Sequence, residues 1–200
     1  MALTPQQGVD IVSYARAVIE GHYSGSKHDV PVSLAEIFKE KRGVFVTLEK
    51  NRQLRGCIGF PEPIMPLGDA VRQAALAAAL EDPRFPPVEG KEVGKLTVEV
   101  SVLTVPEQIK VKNPKDYVNE VKVGVHGLIV EKGFYRGLLL PQVPVEWKWG
   151  VEEFLSETCM KAGVSPDSWL APGTKIYRFS AQVFSEEAPG GKAVERDLSR

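Results

Sequence analysis

The stretch Leu54-Arg55-Gly56-Cys57-Ile58-Gly59 sets a cation, a thiol and two glycines inside what otherwise reads as a buried strand. Side chains alternate along a strand, so Leu54, Gly56, Ile58 and Phe60 fall on one face and Arg55, Cys57 and Gly59 on the other. Arg55 and Cys57 are then neighbours on one face, and a guanidinium so placed stabilises a thiolate and lowers its pKa. The glycines leave backbone bare, as happens where a ligand or another chain comes close. A purely structural account covers the same residues: cysteine often serves as a small buried hydrophobe, and glycine can mark a bulge.

Working outward, the strand pairs with Val44 to Leu48 across a turn at Asn51-Arg52-Gln53, which makes a β-hairpin. A second hairpin resembles it. Val46-Thr47-Leu48-Glu49-Lys50 leads to Leu54-Arg55-Gly56, and Leu128-Ile129-Val130-Glu131-Lys132 leads, through a turn at Lys132-Gly133, to Tyr135-Arg136-Gly137. Each hairpin is followed by a helical stretch, Gly68 to Leu80 or Glu152 to Ala162, and then by a strand, Leu96 to Val105 or Lys175 to Phe184. The pattern predicts an α+β protein with two similar β-β-α-β halves, pairing into a mainly antiparallel sheet or barrel with helices packed outside. Convergence of two ordinary hairpins would produce the same likeness. In this alignment Glu99-Val100-Ser101 matches Arg178-Phe179-Ser180, and Cys57 matches Leu138, which favours a buried, apolar role for the thiol.

At the N-terminal side, Thr4-Pro5-Gln6-Gln7 combines a cap, a proline at the first helical position and a glutamine three residues after the cap, so a helix starts there and ends near Gly21. His22 and His28 fall in a polar loop and read as solvated; Ser33-Leu34-Ala35-Glu36 opens a second, shorter helix, and Asn113-Pro114 another, toward Glu120. Trp147 and Trp149 read as core or cleft wall. Residues 1–187 are expected to form a single domain with halves of about 1–110 and 111–187, and Ala188 to Arg200 a disordered tail.

The 200 residues are 43% hydrophobic and 26% charged, enough for a full core. With 25 basic against 26 acidic residues the net charge is -1, a balance that gives no field for drawing the chain onto nucleic acid or an anionic membrane. The longest apolar run, Ala74 to Leu80, is too short to cross a bilayer, and no basic-then-apolar leader opens the sequence, so a cytoplasmic location is expected. Two cysteines, Cys57 and Cys159, make no disulfide framework and no zinc site. Phosphate loops, nucleophile elbows and paired metal ligands are missing from the sequence, so neither cofactor nor metal is expected.

The hexapeptide Leu54 to Gly59 resembles the central motif of the AMMECR family, whose name comes from a human X-chromosomal region linked to Alport syndrome with elliptocytosis. The likeness extends in the family's order through Asp82-Pro83-Arg84-Phe85-Pro86-Pro87, Glu99 to Leu103, His126-Gly127-Leu128-Ile129-Val130 and Gly137 to Val143, from about Gly43 to Phe184. The resemblance implies an α+β domain in two subdomains with a cleft between them and no established enzymatic activity. It also implies a partner in a modification pathway, since prokaryotic members often lie near genes for a Memo-like protein and a radical-SAM enzyme.

The polar residues in those blocks are the candidate ligand-binding or partner-binding set: Arg55, Gly56, Cys57, Asp82, Arg84, Glu99, Ser101, His126 and Gln142. Each has a plain structural alternative, such as a turn for Asp82, a surface ion pair for Arg84, pairing with an arginine across the sheet for Glu99, and a hydrogen-bonded structural role for His126. Two functions compete. In one, the cleft of a non-catalytic binding or regulatory module takes a small anionic ligand or a protein segment, with Arg55 and Arg84 supplying charge. In the other, a cysteine enzyme uses Cys57 as nucleophile and His126 as base. A nucleic-acid-linked regulatory role is a third, weakened by the balanced charge.

Overall fold

The computed structural model describes residues 2–26 and 28–197. In chain order it contains α1 (Pro5–Ser24), β1 (Val44–Lys50), β2 (Gln53–Phe60), α2 (Leu67–Leu80), α3 (Gly90–Val93), β3 (Leu96–Leu103) and β4 (Glu107–Gln108). Then follow α4 (Tyr117–Glu120), β5 (Gly127–Lys132), β6 (Tyr135–Leu139), α5 (Gln142–Glu146), α6 (Val151–Lys161), β7 (Thr174–Phe179), β8 (Ala181–Glu186) and β9 (Ala193–Glu195). The chain divides into two compact units: residues up to Leu103 together with Gln182–Arg196, and residues 104–181. The division is thus not the simple one near residue 110 that the repeat suggests.

In the first unit the strand order is β2-β1-β3-β8-β9. Val44, Val46, Leu48, Val98, Val100 and Val102 line one face of it, fully buried against Ala70, Val71, Ala74, Ala75 and Ala78 of α2 and the apolar stripe of α1. Each such valine or leucine contributes about 1.5–3 kcal/mol by leaving water. Helix α1 starts as its sequence dictates, with Thr4 and Gln7 exchanging side-chain-to-backbone hydrogen bonds of 3.0 and 3.2 Å. It runs past Gly21 to a left-handed Gly25 (φ 73°). Gly21 lies inside the helix, where the imidazole of His28 occupies the space a Cβ would need; His28 is thus half-buried against α1, and His22 lies on the helix's last turn. Between α1 and β1, two short 3-10 turns, Val32–Leu34 and Ile37–Lys39, replace the expected second helix.

Glu186 on β8 is a buried carboxylate held by Arg16, whose Nη2 lies 2.6 Å from one carboxylate oxygen and 2.6 Å from the Leu96 carbonyl, while Val98 N donates to Glu186 at 2.9 Å. This charge ties α1, β3 and β8 together. Beyond it, Ala193 on β9 is buried and β9 pairs with β8, so the segment after Ala188 is an ordered hairpin rather than a disordered tail as far as Asp197; residues 198–200 lie outside the described residues.

In the second unit the order is β4-β7-β5-β6. Leu128, Val130 and Ile176 pack against Phe154, Leu155, Cys159 and Trp169. The single strand expected from Lys175 to Phe184 is two strands, β7 in this sheet and β8 in the other, broken at Ser180. Trp147 is 68% exposed and stacks on Trp149 with ring centroids 6.0 Å apart, so it is not core. None of the described helices is long and apolar enough to cross a membrane.

The two hairpins hold corresponding places. Leu48 pairs with Gly56 and Val98; Val130 pairs with Gly137 and Ile176. Glu99 therefore corresponds to Tyr177, and Val100 to Arg178, one residue away from the alignment read in the sequence. A slip of one exchanges the two faces, so that part of the alignment is corrected here. The turns differ as well. Asn51 (φ 53°) and Arg52 (φ 62°) are both left-handed, a type I′ arrangement, whereas the second turn places Gly133 (φ 60°) in that region.

Candidate functional site

The register of β1 and β2 shifts at Arg55. Leu48 faces Gly56 but Glu49 faces Leu54, so Arg55 is the extra residue of a β-bulge. Strict alternation fails there. Leu54, expected beside Gly56 on the core face, pairs with Glu49 and is 42% exposed. Arg55 points not toward Cys57 but toward the loop after α2. It donates to the carbonyls of Pro86 (2.9 Å) and Pro87 (3.3 Å) and to Glu92 (3.1 Å), whose other oxygen takes Lys50 Nζ at 2.6 Å. Glu92 is held down to about 2, first by Lys50, then by the Glu89 amide and Arg55.

The same loop reaches β2 a second time. Asp82, with a side chain only 2% exposed, accepts the Cys57 amide at 2.8 Å and the Arg84 amide at 3.1 Å. Arg84 forks onto both Asp82 oxygens at 2.9 and 2.7 Å, and its Nη2 lies 3.2 Å from the Cys57 carbonyl. β2 is the edge strand of its sheet, and the outward amide and carbonyl of Cys57 are thus satisfied by side chains as a further strand would satisfy them. The Arg84 guanidinium beside Asp82 holds that carboxyl well below the usual carboxylate range. Arg84 also lies over the Phe85 ring, 5.5 Å from its centroid.

Burial pushes the Cys57 thiol up, against the smaller downward pull of the Thr47 hydroxyl, 3.3 Å away, and of Arg84. The activation expected from Arg55 is therefore corrected: the bulge turns that guanidinium elsewhere. The glycines are likewise not bare. A Cβ on Gly56 would land on the Ala78 carbonyl, and one on Gly59 on Val44 O and the Phe45 ring, all well inside 3.0 Å. Their smallness serves close packing within the protein.

Of the other candidates, Glu99 is buried and takes Arg196 at 2.6 Å. Ser101 and Gln142 are buried, and Ser101 Oγ and Gln142 Oε1 find no hydrogen-bond partner among the described residues. His126 stands in the second unit, after a turn with a left-handed Gly124 (φ 79°). Its amide donates to Lys122 O at 2.9 Å, and its Nδ1 accepts from Lys122 N at 3.1 Å. Burial, then Arg178 and Lys122, push its pKa down. Cys57 and His126, the two catalytic candidates, thus belong to different units, while Arg55, Cys57, Asp82 and Arg84 meet at one loop.

Beside that loop the surface is recessed. A groove of about 450 Å³ runs along Phe85, Pro86 and Pro87, with Lys50, Arg55, Lys91 and Lys95 against Glu89 and Glu92. Four cations face two carboxylates. Lys50 and Arg55 share Glu92, Lys91 meets Glu89 at 2.6 Å, and Lys95 makes no ion pair with the described residues. Sequence reasoning missed Lys50, Lys95 and Glu92. Lys50, four residues before Leu54 on the paired strand, was within reach of it; Glu92 and Lys95 were not, since only the fold of the loop brings them in. Among the described residues no three His, Cys, Asp or Glu side chains cluster so as to hold a metal ion.

A family model described as AMMECR1 matches residues 12–184. Protein MJ0810 of Methanocaldococcus jannaschii is 56% identical over 198 residues, covering 98% of each chain. A protein of Methanothermobacter thermautotrophicus is 55% identical over 186 residues, covering 92% of this chain and 97% of its own. The crystal structure of uncharacterized protein PH0010 from Pyrococcus horikoshii superposes with a TM-score of 0.91 at 49% identity, covering 98% of both chains.

Proposed function

The chain belongs to the AMMECR1 family, and from that premise we propose that it is a non-catalytic binding module whose groove beside β2 takes an anionic ligand, an acidic protein segment in preference to a small anion. One observation carries the reading: four cations against two carboxylates along a recess whose proline wall is fixed in place by Arg55. Cations spread over α3, the turn after it and two strands suit several carboxylates in a row better than a single point charge. The prolines and Phe85 offer a rigid apolar strip to an extended chain. Arg55 positions the groove, while Lys91 and Lys95 supply charge that the protein itself uses least.

The thiol-enzyme alternative draws no support from this geometry, because burial raises the Cys57 pKa and works against a nucleophile at neutral pH. The test is fluorescence anisotropy with a labelled polyglutamate peptide. Binding should weaken steeply with added salt and fall about tenfold when Lys91 and Lys95 are both changed to Glu, with the melting temperature unchanged. Equal affinity of that double variant, or equal binding of a polylysine peptide, sinks the reading.

A further inference from the structure

The second unit has a recess of its own, separate from the groove beside β2. It encloses about 520 Å³, within the range of small-molecule sites, and is lined by Glu107 of β4, Asn119 and Glu120 of α4, Lys122 and His126 of the turn before β5, and Arg178 of β7. Its charges can be sorted. Arg178 donates at 3.0 Å to both the carbonyl and the carboxylate of Glu120, so those two charges offset each other. Glu107 sits directly across the strand pair from Arg178, yet neither Glu107 nor Lys122 makes a side-chain hydrogen bond or ion pair with the described residues. One carboxylate and one ammonium are thus left over, of opposite sign, on one wall set.

His126 lines the same recess as both of them. Burial first, then Arg178 and Lys122, push its pKa down against a smaller upward pull from Glu107. Nδ1 accepts the Lys122 amide and the ring also bonds to the Glu120 carbonyl, so the histidine is fixed in the wall of the recess. A Cβ on residue 127 would strike the Phe179 ring, which lines the same recess, so only glycine fits next to the histidine in the chain.

A lone anion would meet Glu107, and a lone cation would meet Lys122 and Arg178. A molecule carrying both charges on adjacent groups meets neither penalty. We propose that this recess binds a free α-amino acid, its ammonium group on Glu107 and its carboxylate on Lys122 and the unused N–H groups of Arg178, with the fixed His126 ring as part of the wall. Asn119 and Ser180 on the rim favour a small or polar ligand side chain.

The experiment is a titration of the ¹⁵N-labelled full chain with each of the common L-amino acids, followed for the best ligand by its carboxamide and its desamino analogue. At least one amino acid should shift the amide resonances of residues 119–126 and 178–180. The carboxamide and the desamino compound should each bind about tenfold more weakly, as should the amino acid to Glu107→Gln or Lys122→Met. Both positions are exposed, so the variants should keep the parent's spectrum elsewhere. The proposal is overturned if no amino acid binds at millimolar concentration, if the desamino compound binds as well as its parent, or if the shifts fall in residues 2–103.

Discussion

The hairpin β1–β2 and the hairpin β5–β6 are built on one frame and finished differently. Each has a glycine, Gly56 or Gly137, at the same place on its second strand, and each glycine is pressed against a helix, by the Ala78 carbonyl in one and by the backbone of Lys161 and Ala162 in the other. On the opposite face they part. The first carries the row Cys57–Thr47–Glu99, with Arg196 on Glu99; the second carries Leu138–Ile129–Tyr177 in the same register. The bulge at Arg55 is likewise present only in the first, as the one residue by which its second strand is longer between turn and glycine. The helix-facing side thus keeps what packing demands, whereas the other side and the turn vary.

The shared frame breaks most directly at its glycines. Gly56→Ala and Gly137→Ala should each cost about 3 kcal/mol, since the added carbon meets backbone that cannot step aside. Denaturant unfolding measures both, and a near-neutral result for either would show that its helix is not seated as in the other hairpin.

The latch on β2 distinguishes the first hairpin, and Asp82→Ala should cost about 2 kcal/mol, because a buried acceptor of four N–H donors is lost while half-exposed Arg84 can turn to water. Its acid limb is equally specific. A carboxylate depressed in the folded state contributes stability that is present above its unfolded pKa and lost as pH falls through the folded one, so Glu92, lowered from 4.5 to about 2, should lose its share across that interval. Glu92→Gln should flatten the stability curve there; an unchanged slope would mean that Lys50 and Arg55 do not hold it.

The polar row is probed by its thiol. With Cys159 replaced by Ala, native Cys57 should react with iodoacetamide at pH 7 at least about tenfold more slowly than in the unfolded chain, the factor set by a pKa raised through burial. Native modification as fast as unfolded would turn the row into a reactive site. The smallest effect lies in the turns. Arg52→Gly should stabilise by about 1 kcal/mol, relieving a left-handed arginine at the turn position where the second hairpin has Phe134 outside that region; a loss would show that the Arg52 side chain does more than cross the turn.

The hairpins, α2, α6 and the core valines were legible because each follows from local periodicity and capping. Arg55 was not, for the bulge that redirects it depends on how β2 docks on β1 and on a loop more than thirty residues away. Nor was the role of Gly56, which only the nearness of Ala78 explains. Asp82, Arg84 and Cys57 were grouped on resemblance rather than on a physical signal, and the backbone latch that joins them needs coordinates to be seen. The strand from Lys175 misled because one continuous apolar pattern can serve two sheets when a single residue breaks it.

The first unit is interrupted in sequence by the second, and synthesis must proceed in that order. When β3 leaves the ribosome, three strands and α2 can already assemble, but Arg16 waits without its carboxylate until Glu186 is made, after all of residues 104–181. During that interval a guanidinium destined for burial stays in water, and the β3 edge that β8 will cover remains open. The nascent chain is therefore most exposed to mispairing while its middle is being translated, and the Arg16–Glu186 contact marks the moment at which the open β3 edge is covered.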